Sequence, residues 1–321
     1  MRGRAVWAVA AVALVGLVGQ PAAAAPPTVL TIFAAGTLAV PFRAASQEFE
    51  KAHPGVEIQA QFGGSVKMAR EITDLHKPAD ILAVADYSVI PKYLFGGEGK
   101  PDYADWYVGF VRNAITFVYT DKSKFAAAVT QKNWYEILAR KGDEIGRSNP
   151  DTDPSGYQTL QMLDLAAGYY HKPDLAAGIL ANAPKTNMRD TETALLSALQ
   201  LGQIDYLAIY RSDALQHHLK FIALPPEIDL SDAARAGDYA KAIAHTKNGD
   251  LPGKPIVYAL TIPSAAKEAA LAQRFVAFLL GPEGRKIMAA SGFGTIDPAF
   301  AVAPEKMPAD LRKLVKPWPN S

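Results

Sequence analysis

The sequence contains no cysteine. This absence excludes disulfide bonds, thiolate metal sites, a cysteine nucleophile and a lipid anchor attached through cysteine. An excess of one charge is also missing, because 33 Lys and Arg residues face 32 Asp and Glu residues. No basic surface for a nucleic-acid backbone is therefore predicted. With 321 residues, 49% of them hydrophobic, the chain can bury a substantial core, and we expect one or two folded domains.

The N-terminus has the pattern of a leader segment. Arg2 and Arg4 precede an uncharged apolar stretch at 5–19, which is followed by Pro21 and the alanine run 22–25. This order is typical of a secretory signal peptide. The stretch of about 15 residues is shorter than the roughly 20 that a membrane-spanning helix needs. We predict cleavage of residues 1–24 and a periplasmic mature chain, with the exact cleavage position left open.

Strand-like and helix-like stretches alternate along the mature chain. Apolar runs that indicate strands occur at 29–33, 56–62, 79–85, 115–119 and 204–210, and stretches with helical periodicity lie between them. This alternation predicts an α/β fold with mostly parallel sheet.

Two hydroxyl residues follow the first two predicted strands. Gly36-Thr37 and Gly64-Ser65 each begin a helical stretch. In sheets of this kind ligands bind beyond the carboxyl ends of the strands. We expect Thr37 and Ser65 at helix N-caps, where a hydroxyl, free backbone N–H groups and the helix dipole can hold an anion without a lysine. The alternative is that each hydroxyl only caps its own helix.

Several short segments carry a family resemblance in a consistent order. They are IFAAGTL at 32–38, FGGSV at 62–66, ADILAVADYS at 79–88, DWY at 105–107, DPSGY at 153–157, IYRSDA at 209–214 and GPEG at 281–284. Together they resemble the periplasmic tungstate and molybdate binding proteins of ABC importers.

The resemblance implies a two-lobed periplasmic binding protein of type II, with mixed sheets, helices on both faces and a ligand in the interlobe cleft. The first part of lobe 1 would be residues 25–111, and its C-terminal part would be residues 262–321. Residues 112–261 would form lobe 2 together with the hinge strands. Such a protein is a monomer that delivers molybdate or tungstate to a permease in the cytoplasmic membrane. It is not an enzyme and needs no cofactor.

The resemblance also assigns the ligand-binding residues. Thr37 and Ser65 supply hydroxyls, Ser155 supplies a backbone N–H, Tyr210 donates its phenol proton, and Glu192 offers a backbone N–H at a helix start capped by Thr191. The complete predicted set for the oxyanion is Gly36, Thr37, Ser65, Asp153, Ser155, Glu192 and Tyr210.

The coordination of the anion depends on the acidic residues. In archaeal members of the family, a loop aspartate and a glutamate add two carboxylate oxygens and raise the coordination of the metal from four to six. The resemblance places that glutamate just before the tyrosine, where this chain has Ile209. We therefore expect tetrahedral binding, with Asp153 turned away as a turn or cap residue because its charge would repel a dianion. Whether Asp153 contacts the ligand, the preference between molybdate and tungstate, and the rejection of sulfate stay open.

Other functions are weighed against this one. Another oxyanion or ferric ion is the alternative cargo, because Tyr169-Tyr170 resembles the adjacent tyrosines with which related proteins hold iron. A helix end that packs one of the two tyrosines inward is the favoured explanation of that pair. A hydrolase is disfavoured because the six histidines are scattered and the sequence has neither a nucleophile elbow nor a phosphate-binding loop.

Overall fold

The computed structural model describes residues 26–97, 99 and 101–319. The signal peptide predicted for residues 1–24 lies outside these residues. Within the described part of the chain, no helix is both long and apolar enough to cross a membrane.

Fourteen strands are assigned in the described residues. In chain order they are β1 Thr28–Ala35, β2 Val56–Gly63, β3 Ile81–Val84, β4 Tyr107–Arg112, β5 Ile115–Tyr119, β6 Ile145–Ser148, β7 Met188–Arg189, β8 Tyr206–Tyr210, β9 Lys220–Phe221, β10 Ile243–Thr246, β11 Gly249–Pro252, β12 Val257–Thr261, β13 Gly294–Val302 and β14 Val315–Pro317.

Helices lie between these strands. The α-helices are α1 Ala39–Ala52, α2 Ser65–Thr73, α3 Val89–Tyr93, α4 Trp134–Leu138, α5 Pro154–Tyr169, α6 Leu175–Ala181, α7 Leu196–Leu201, α8 Arg211–Gln216, α9 Ala236–Tyr239, α10 Ala269–Leu280, α11 Pro282–Ala290 and α12 Ala309–Arg312. Short 3-10 helices are formed by Gly36–Leu38, Lys185–Asn187, Glu192–Leu195, Ala233–Arg235 and Pro304–Lys306.

The strands form two main sheets. The larger sheet has the order β14-β13-β4-β12-β3-β1-β2, and the smaller sheet has the order β7-β6-β8-β5-β9. We call the larger sheet with its helices lobe 1 and the smaller sheet with its helices lobe 2. Strands β10 and β11 form a separate antiparallel hairpin. The predicted α/β fold with two mixed sheets is confirmed.

Strand direction corrects the expectation of mostly parallel sheet. Strand β1 runs parallel to β2 and β3, but β12 runs antiparallel to both β3 and β4. The reason is the path of the chain. Strand β4 leads out of the larger sheet and β12 brings the chain back from the smaller one, so these two neighbours point in opposite directions.

Two connections join the lobes. The chain passes from β4 to β5 through Asn113 and returns to β12 through Ile256, and the Asn113 N–H donates to the Ile256 carbonyl at 3.2 Å. Strand β12, which the sequence analysis placed with lobe 2 and the hinge strands, pairs in the larger sheet. The proposed lobe boundaries stay a prediction.

The core of lobe 1 explains why the first helix forms. Helix α1 buries Phe42, Ala45 and Phe49, which recur every three or four residues and so share one face. The rings of Phe42 and Phe49 meet Phe275 of α10 edge-on, with centroids 6.3 and 5.2 Å apart. Each such side chain contributes roughly 1.5–3 kcal/mol through burial. This packing holds the start of α1, and with it Thr37, against the sheet.

Candidate functional site

Thr37 and Ser65 lie buried at the carboxyl ends of β1 and β2. Thr37 belongs to a 3-10 helix whose N-cap is Ala35, and Ser65 is the first residue of α2, whose N-cap is Gly64; neither helix has a side-chain cap. The prediction that the two hydroxyls occupy N-caps is therefore wrong, as is the alternative that they only cap their helices.

Both hydroxyls bond to a neighbouring strand instead. Thr37 Oγ1 lies 2.8 Å from the phenol oxygen of Tyr258 on β12. Ser65 Oγ accepts the Ala85 N–H at 2.9 Å, just beyond β3. Because Ser65 accepts in this bond, its own O–H is left to donate elsewhere. The two side chains are thus held in place by the sheet and not by their own helices.

In lobe 2 the start of α5 places a serine between two carboxyl groups. Ser155 Oγ lies 2.8 Å from Asp153 Oδ2, 2.8 Å from Glu192 Oε2 and 2.6 Å from Ser148 Oγ. Pro154 occupies the first position of α5, where its fixed φ suits a helix start. A hydroxyl has one proton and can donate to only one carboxyl at a time. The second carboxyl contact therefore requires a proton on that carboxyl.

Of the two acids, Glu192 is the one whose protonated form the site favours more strongly. Burial raises its pKa well above the usual value, and the nearby charge of Asp153 raises it further. Burial also raises the pKa of Asp153, against the opposing hydrogen bonds of Glu192 and Ser155. Two carboxylates in contact and out of water cannot both ionise freely. The pair thus holds a proton that an incoming ligand can displace.

This geometry overturns the assumption about Ile209. Ile209 is buried in an apolar cluster with Leu195 and Leu199, whereas its neighbour Tyr210 packs with the main core. Successive residues of a strand face opposite sides, so position 209 points away from Tyr210. The second acid beside Asp153 is Glu192, whose carboxyl group was not expected to take part.

Two further expectations, for Asp153 and for Thr191, are corrected. Asp153 occupies the N-cap position of α5, but its side chain makes no capping hydrogen bond and does not turn away from the pair with Glu192. Thr191 occupies the N-cap position before Glu192, also without a side-chain cap. The Thr191 Oγ1 instead lies 3.2 Å from Thr193 Oγ1, so the two hydroxyls contact each other.

Tyr210 and two residues that the sequence analysis missed connect the lobes. The Tyr210 phenol donates to Gln158 Oε1 at 2.7 Å, and its ring lies 5.7 Å from that of Tyr258. Gln158 Nε2 is buried and, among the described residues, has no hydrogen-bond partner. Two signals in the sequence could have identified these residues. Gln158 follows Ser155 by three residues in one helix, and Tyr258 is the single tyrosine in the apolar run of β12. The row Gln158, Tyr210, Tyr258 and Thr37 spans both lobes.

Backbone contact between the lobes depends on glycine. A Cβ at Gly64 would collide with the Thr152 carbonyl oxygen and would come within 2.9 Å of the Asp190 carbonyl oxygen, both in lobe 2. The first turn of α2 reinforces the contact, because the Lys67 N–H donates to the Thr152 carbonyl at 3.3 Å. Gly36 makes a similar approach, since a Cβ there would lie 3.0 Å from Thr193 Oγ1. Both glycines permit the two lobes to touch beside the hydroxyls.

A third buried acid lies near this group. Asp213, in the first turn of α8, is 1% exposed, and burial raises its pKa well above the usual value. Among the described residues, none of the ion pairs within 4 Å involves Asp213, Asp153 or Glu192. The site therefore carries acids without paired cations, and its hydrogen-bond donors and protons must balance their charge.

The adjacent tyrosines lie elsewhere. Tyr169 is the last residue of α5, at the opposite end from Asp153, about 24 Å along a helix of that length. Tyr170 packs on Tyr135 with ring centroids 4.2 Å apart, while Tyr169 is 46% exposed. A helix end with one tyrosine packed inward is what the structure contains, and the pair takes no part in the site.

The chain is similar to known solute-binding proteins. A family model described as bacterial extracellular solute-binding protein matches residues 30–294. The molybdate/tungstate-binding protein WtpA of Pyrococcus abyssi is 38% identical over 315 residues, covering 89% of this chain and 90% of that protein. WtpA of Thermococcus kodakarensis is 37% identical over 317 residues, covering 90% and 88%. The periplasmic molybdate-binding protein of Azotobacter vinelandii superposes with a TM-score of 0.60 at 18% identity, covering 82% of this chain and 98% of that one, which supports the fold.

Proposed function

Because the chain belongs to the family of bacterial extracellular solute-binding proteins, we propose that it captures molybdate or tungstate between its two lobes and delivers the anion to the permease of an ABC importer. The observation that carries this proposal is the cluster of Ser155, Asp153 and Glu192 in the lobe that faces Thr37 and Ser65. The relatives named molybdate/tungstate-binding proteins support the choice of anion.

The donors proposed for the anion come from both lobes. Ser65 Oγ accepts from Ala85 and donates to no other described residue, so its O–H can donate to the anion, and Thr37 can exchange its bond to Tyr258 for one to the ligand. Lobe 2 adds the Ser155 backbone N–H at the start of α5, and the Tyr210 phenol can exchange its bond to Gln158 for one to the ligand. Gln158 Nε2, which lacks a partner among the described residues, adds a further donor. Such fixed dipoles replace the hydration of an oxyanion.

We further propose that Asp153 and Glu192 coordinate the metal centre through carboxylate oxygens. A neighbouring carboxylate repels a bare dianion. A carboxylate whose oxygen coordinates the metal centre is instead attracted to that positive centre. The pair therefore favours six oxygen neighbours over four. This replaces the tetrahedral expectation, whose premise was that Ile209 left the site with one acid. Binding in this mode requires Glu192 to lose the proton that burial otherwise keeps on it.

The remaining features of the proposal concern the whole protein. We propose that residues 1–24 are removed on export, that the mature chain works as a monomer in the periplasm, and that it catalyses no reaction and needs no cofactor. Lobes 1 and 2 would move about the connections near Asn113 and Ile256 and close on the anion, and the closed form would dock on the permease.

Thermal unfolding tests the cargo. The mature protein is unfolded with molybdate, tungstate, sulfate, phosphate or ferric citrate and without ligand. Ligand at about a thousand times its dissociation constant adds roughly 4 kcal/mol, enough for a shift of several degrees. We expect shifts with molybdate and tungstate only. A shift with sulfate or ferric citrate alone would overturn the proposed cargo. The absence of a shift with molybdate and tungstate would also overturn it, provided that elemental analysis shows the protein to be free of metal beforehand.

X-ray absorption spectroscopy of the tungstate complex tests the coordination. We expect six oxygen neighbours in the wild type and a lower number in Glu192→Gln, whose amide is a poor ligand. The matched control is Asp164→Asn, an exposed acid on α5, which should leave the spectrum unchanged. Four equal short distances in the wild type would contradict the carboxylate assignment and return the site to tetrahedral binding.

A further inference from the structure

An aromatic cavity lies behind the hinge, apart from the proposed oxyanion site. Its volume is about 420 Å³, within the range of pockets that hold small organic ligands. The walls include Tyr87, Tyr107, Phe300 and Trp318 from lobe 1 and Ala236 from α9. None of its lining residues belongs to the oxyanion set.

The position of the cavity follows from strand alternation. Val257 of β12 lines the cavity, whereas the next residue, Tyr258, bonds to Thr37 at the oxyanion site. Successive side chains of a strand face opposite sides of the sheet. The cavity and the cleft therefore lie on opposite faces of the same strand, and a ligand in one does not occupy the other.

The aromatic walls form a connected group around Trp318. Its ring centroid lies 4.7 Å from that of Tyr87, 5.6 Å from that of Tyr107 and 5.7 Å from that of Phe300. A Cβ at Gly109 would collide with the Trp318 ring, so the indole lies directly on the backbone of β4. Burial raises the pKa of Tyr87 to about 12 and raises that of Tyr107 as well. Both phenols thus stay neutral, and they add no negative charge to the cavity.

Among the residues that line the cavity, Arg112 is the charged one. It is the last residue of β4 and lines the cavity, its guanidinium lies 5.9 Å from the Phe300 ring centroid, and its Nε is buried without a hydrogen-bond partner among the described residues. The nearby cation Lys254 is already engaged, at 3.2 Å from Asp86 and 2.6 Å from Ser88 Oγ. A buried guanidinium N–H without an acceptor is costly. The terminal guanidinium nitrogens of Arg112 are less enclosed and donate to no described residue, so they are the donors that an acceptor in the cavity can reach.

From this arrangement we propose that the cavity is a second ligand site, which binds a small aromatic carboxylate. The flat ring would pack among Tyr87, Phe300 and Trp318, and the carboxylate would accept from the Arg112 guanidinium, a pairing in which geometry and charge match. The inference is independent of the oxyanion that the cleft binds.

Calorimetric titration with benzoate tests the site. The mature protein is titrated in saturating molybdate, so that the cleft is filled, and again without molybdate. Benzamide is the neutral isostere and cyclohexanecarboxylate the non-aromatic one. We expect saturable one-to-one binding of benzoate in both titrations, with benzamide and cyclohexanecarboxylate each at least tenfold weaker. No saturable binding of benzoate, or displacement of benzoate by molybdate, would overturn the proposal.

Variants locate the binding. Arg112→Met should weaken benzoate at least tenfold while leaving benzamide within twofold. The matched control is Arg43→Met, which removes another guanidinium that lies over a phenylalanine ring, 5.6 Å from the centroid of Phe62, and should change nothing. Ala236 is exposed, so Ala236→Phe is expected to fold, to fill the cavity and to abolish benzoate binding with unchanged molybdate affinity. Unchanged benzoate affinity in Ala236→Phe would show that benzoate binds elsewhere and would overturn the proposal. This test holds even if Arg112→Met does not fold.

Discussion

The Tyr157 phenol donates a 2.7 Å hydrogen bond to Oδ2 of Asp86, and this single bond joins α5 of lobe 2 to the end of β3 in lobe 1. Both side chains are buried, and Lys254 balances the charge of Asp86 at 3.2 Å. A hydrogen bond between the lobes forms only when they are in contact. It therefore stabilises this arrangement of the lobes relative to one in which they are apart, and under the proposed closure the ligand gains affinity from it.

Replacement of Tyr157 by phenylalanine tests this link. A hydrogen bond to a charged group contributes about 1.5–3 kcal/mol, so Tyr157→Phe should weaken molybdate binding by about 10- to 100-fold, mainly through faster dissociation. Stopped-flow measurement of the dissociation rate checks it. Tyr206→Phe is the control, because that phenol bonds to the Lys124 carbonyl within lobe 2. Equal dissociation rates in the wild type and Tyr157→Phe would refute the link.

Gly64→Ala should obstruct closure without impairing folding. The added methyl group would collide with the Thr152 carbonyl of the other lobe, and backbone atoms cannot move aside as a flexible side chain can. We expect molybdate affinity to fall at least tenfold while the melting temperature without ligand stays within about a degree. Gly168→Ala, where a Cβ meets nothing within 4 Å, is the control. A lowered melting temperature in Gly64→Ala alone would point to misfolding instead.

The stability of the ligand-free protein should depend on the proton of Glu192. Its folded pKa is raised above the usual value of 4.5, so the folded state holds a proton that the unfolded chain releases. The stabilisation is complete below about pH 4.5 and is lost as the pH rises through the folded pKa. Glu192→Gln cannot ionise, so its melting temperature should equal that of the wild type near pH 4 and exceed it at pH 7–8.

Scanning calorimetry from pH 4 to pH 8 without ligand measures this difference, with Asp164→Asn as the control for the loss of an exposed acid. The same Glu192→Gln protein should bind molybdate at least tenfold more weakly, since the amide cannot supply a carboxylate oxygen. A variant that gains stability at neutral pH yet loses affinity would mark Glu192 as a group kept for function at the expense of stability. No difference in melting temperature at pH 8 would contradict the raised pKa.

Thr37→Ala should weaken the binding of the anion directly. Loss of one hydrogen bond to a charged ligand costs about 1.5–3 kcal/mol, or about 10- to 100-fold in affinity. Thr37→Ser keeps the hydroxyl and should retain most of the affinity, which separates the lost donor from the lost methyl group. Titration calorimetry with molybdate compares the three proteins. Affinity within a factor of two of the wild type in Thr37→Ala would remove this residue from the site.

Much of the fold could be predicted because its signals are local. The spacing of Phe42, Ala45 and Phe49 is by itself enough to indicate the buried face of α1, and the apolar runs predicted five strands close to their observed bounds. Strand direction could not be predicted in the same way. It depends on which strands become neighbours when the chain crosses to the other lobe and returns, and β12 meets β3 and β4 only at that point.

The composition of the site shows the same division. Motif position was enough to select Thr37, Ser65, Ser155 and Tyr210 as candidates, but it assigned the second acid to position 209. Strand alternation turns Ile209 into an apolar cluster, while Glu192, 39 positions after Asp153 along the chain, reaches Ser155 from another element. Gln158 and Tyr258 were missed because their role arises only from partners that are far away in sequence.

By itself, the sequence determined the α/β class, the absence of thiol chemistry and the family, because composition, periodicity and ordered motifs are properties of neighbouring residues. Only the tertiary structure decided which acids share a proton, which hydroxyls bond to strands instead of capping helices, and which glycines let the lobes meet. Those outcomes depend on burial and on distances between residues far apart in the chain. The pKa of Glu192 is the clearest case, since it is raised by the loss of water and by a carboxylate that folding brings beside it.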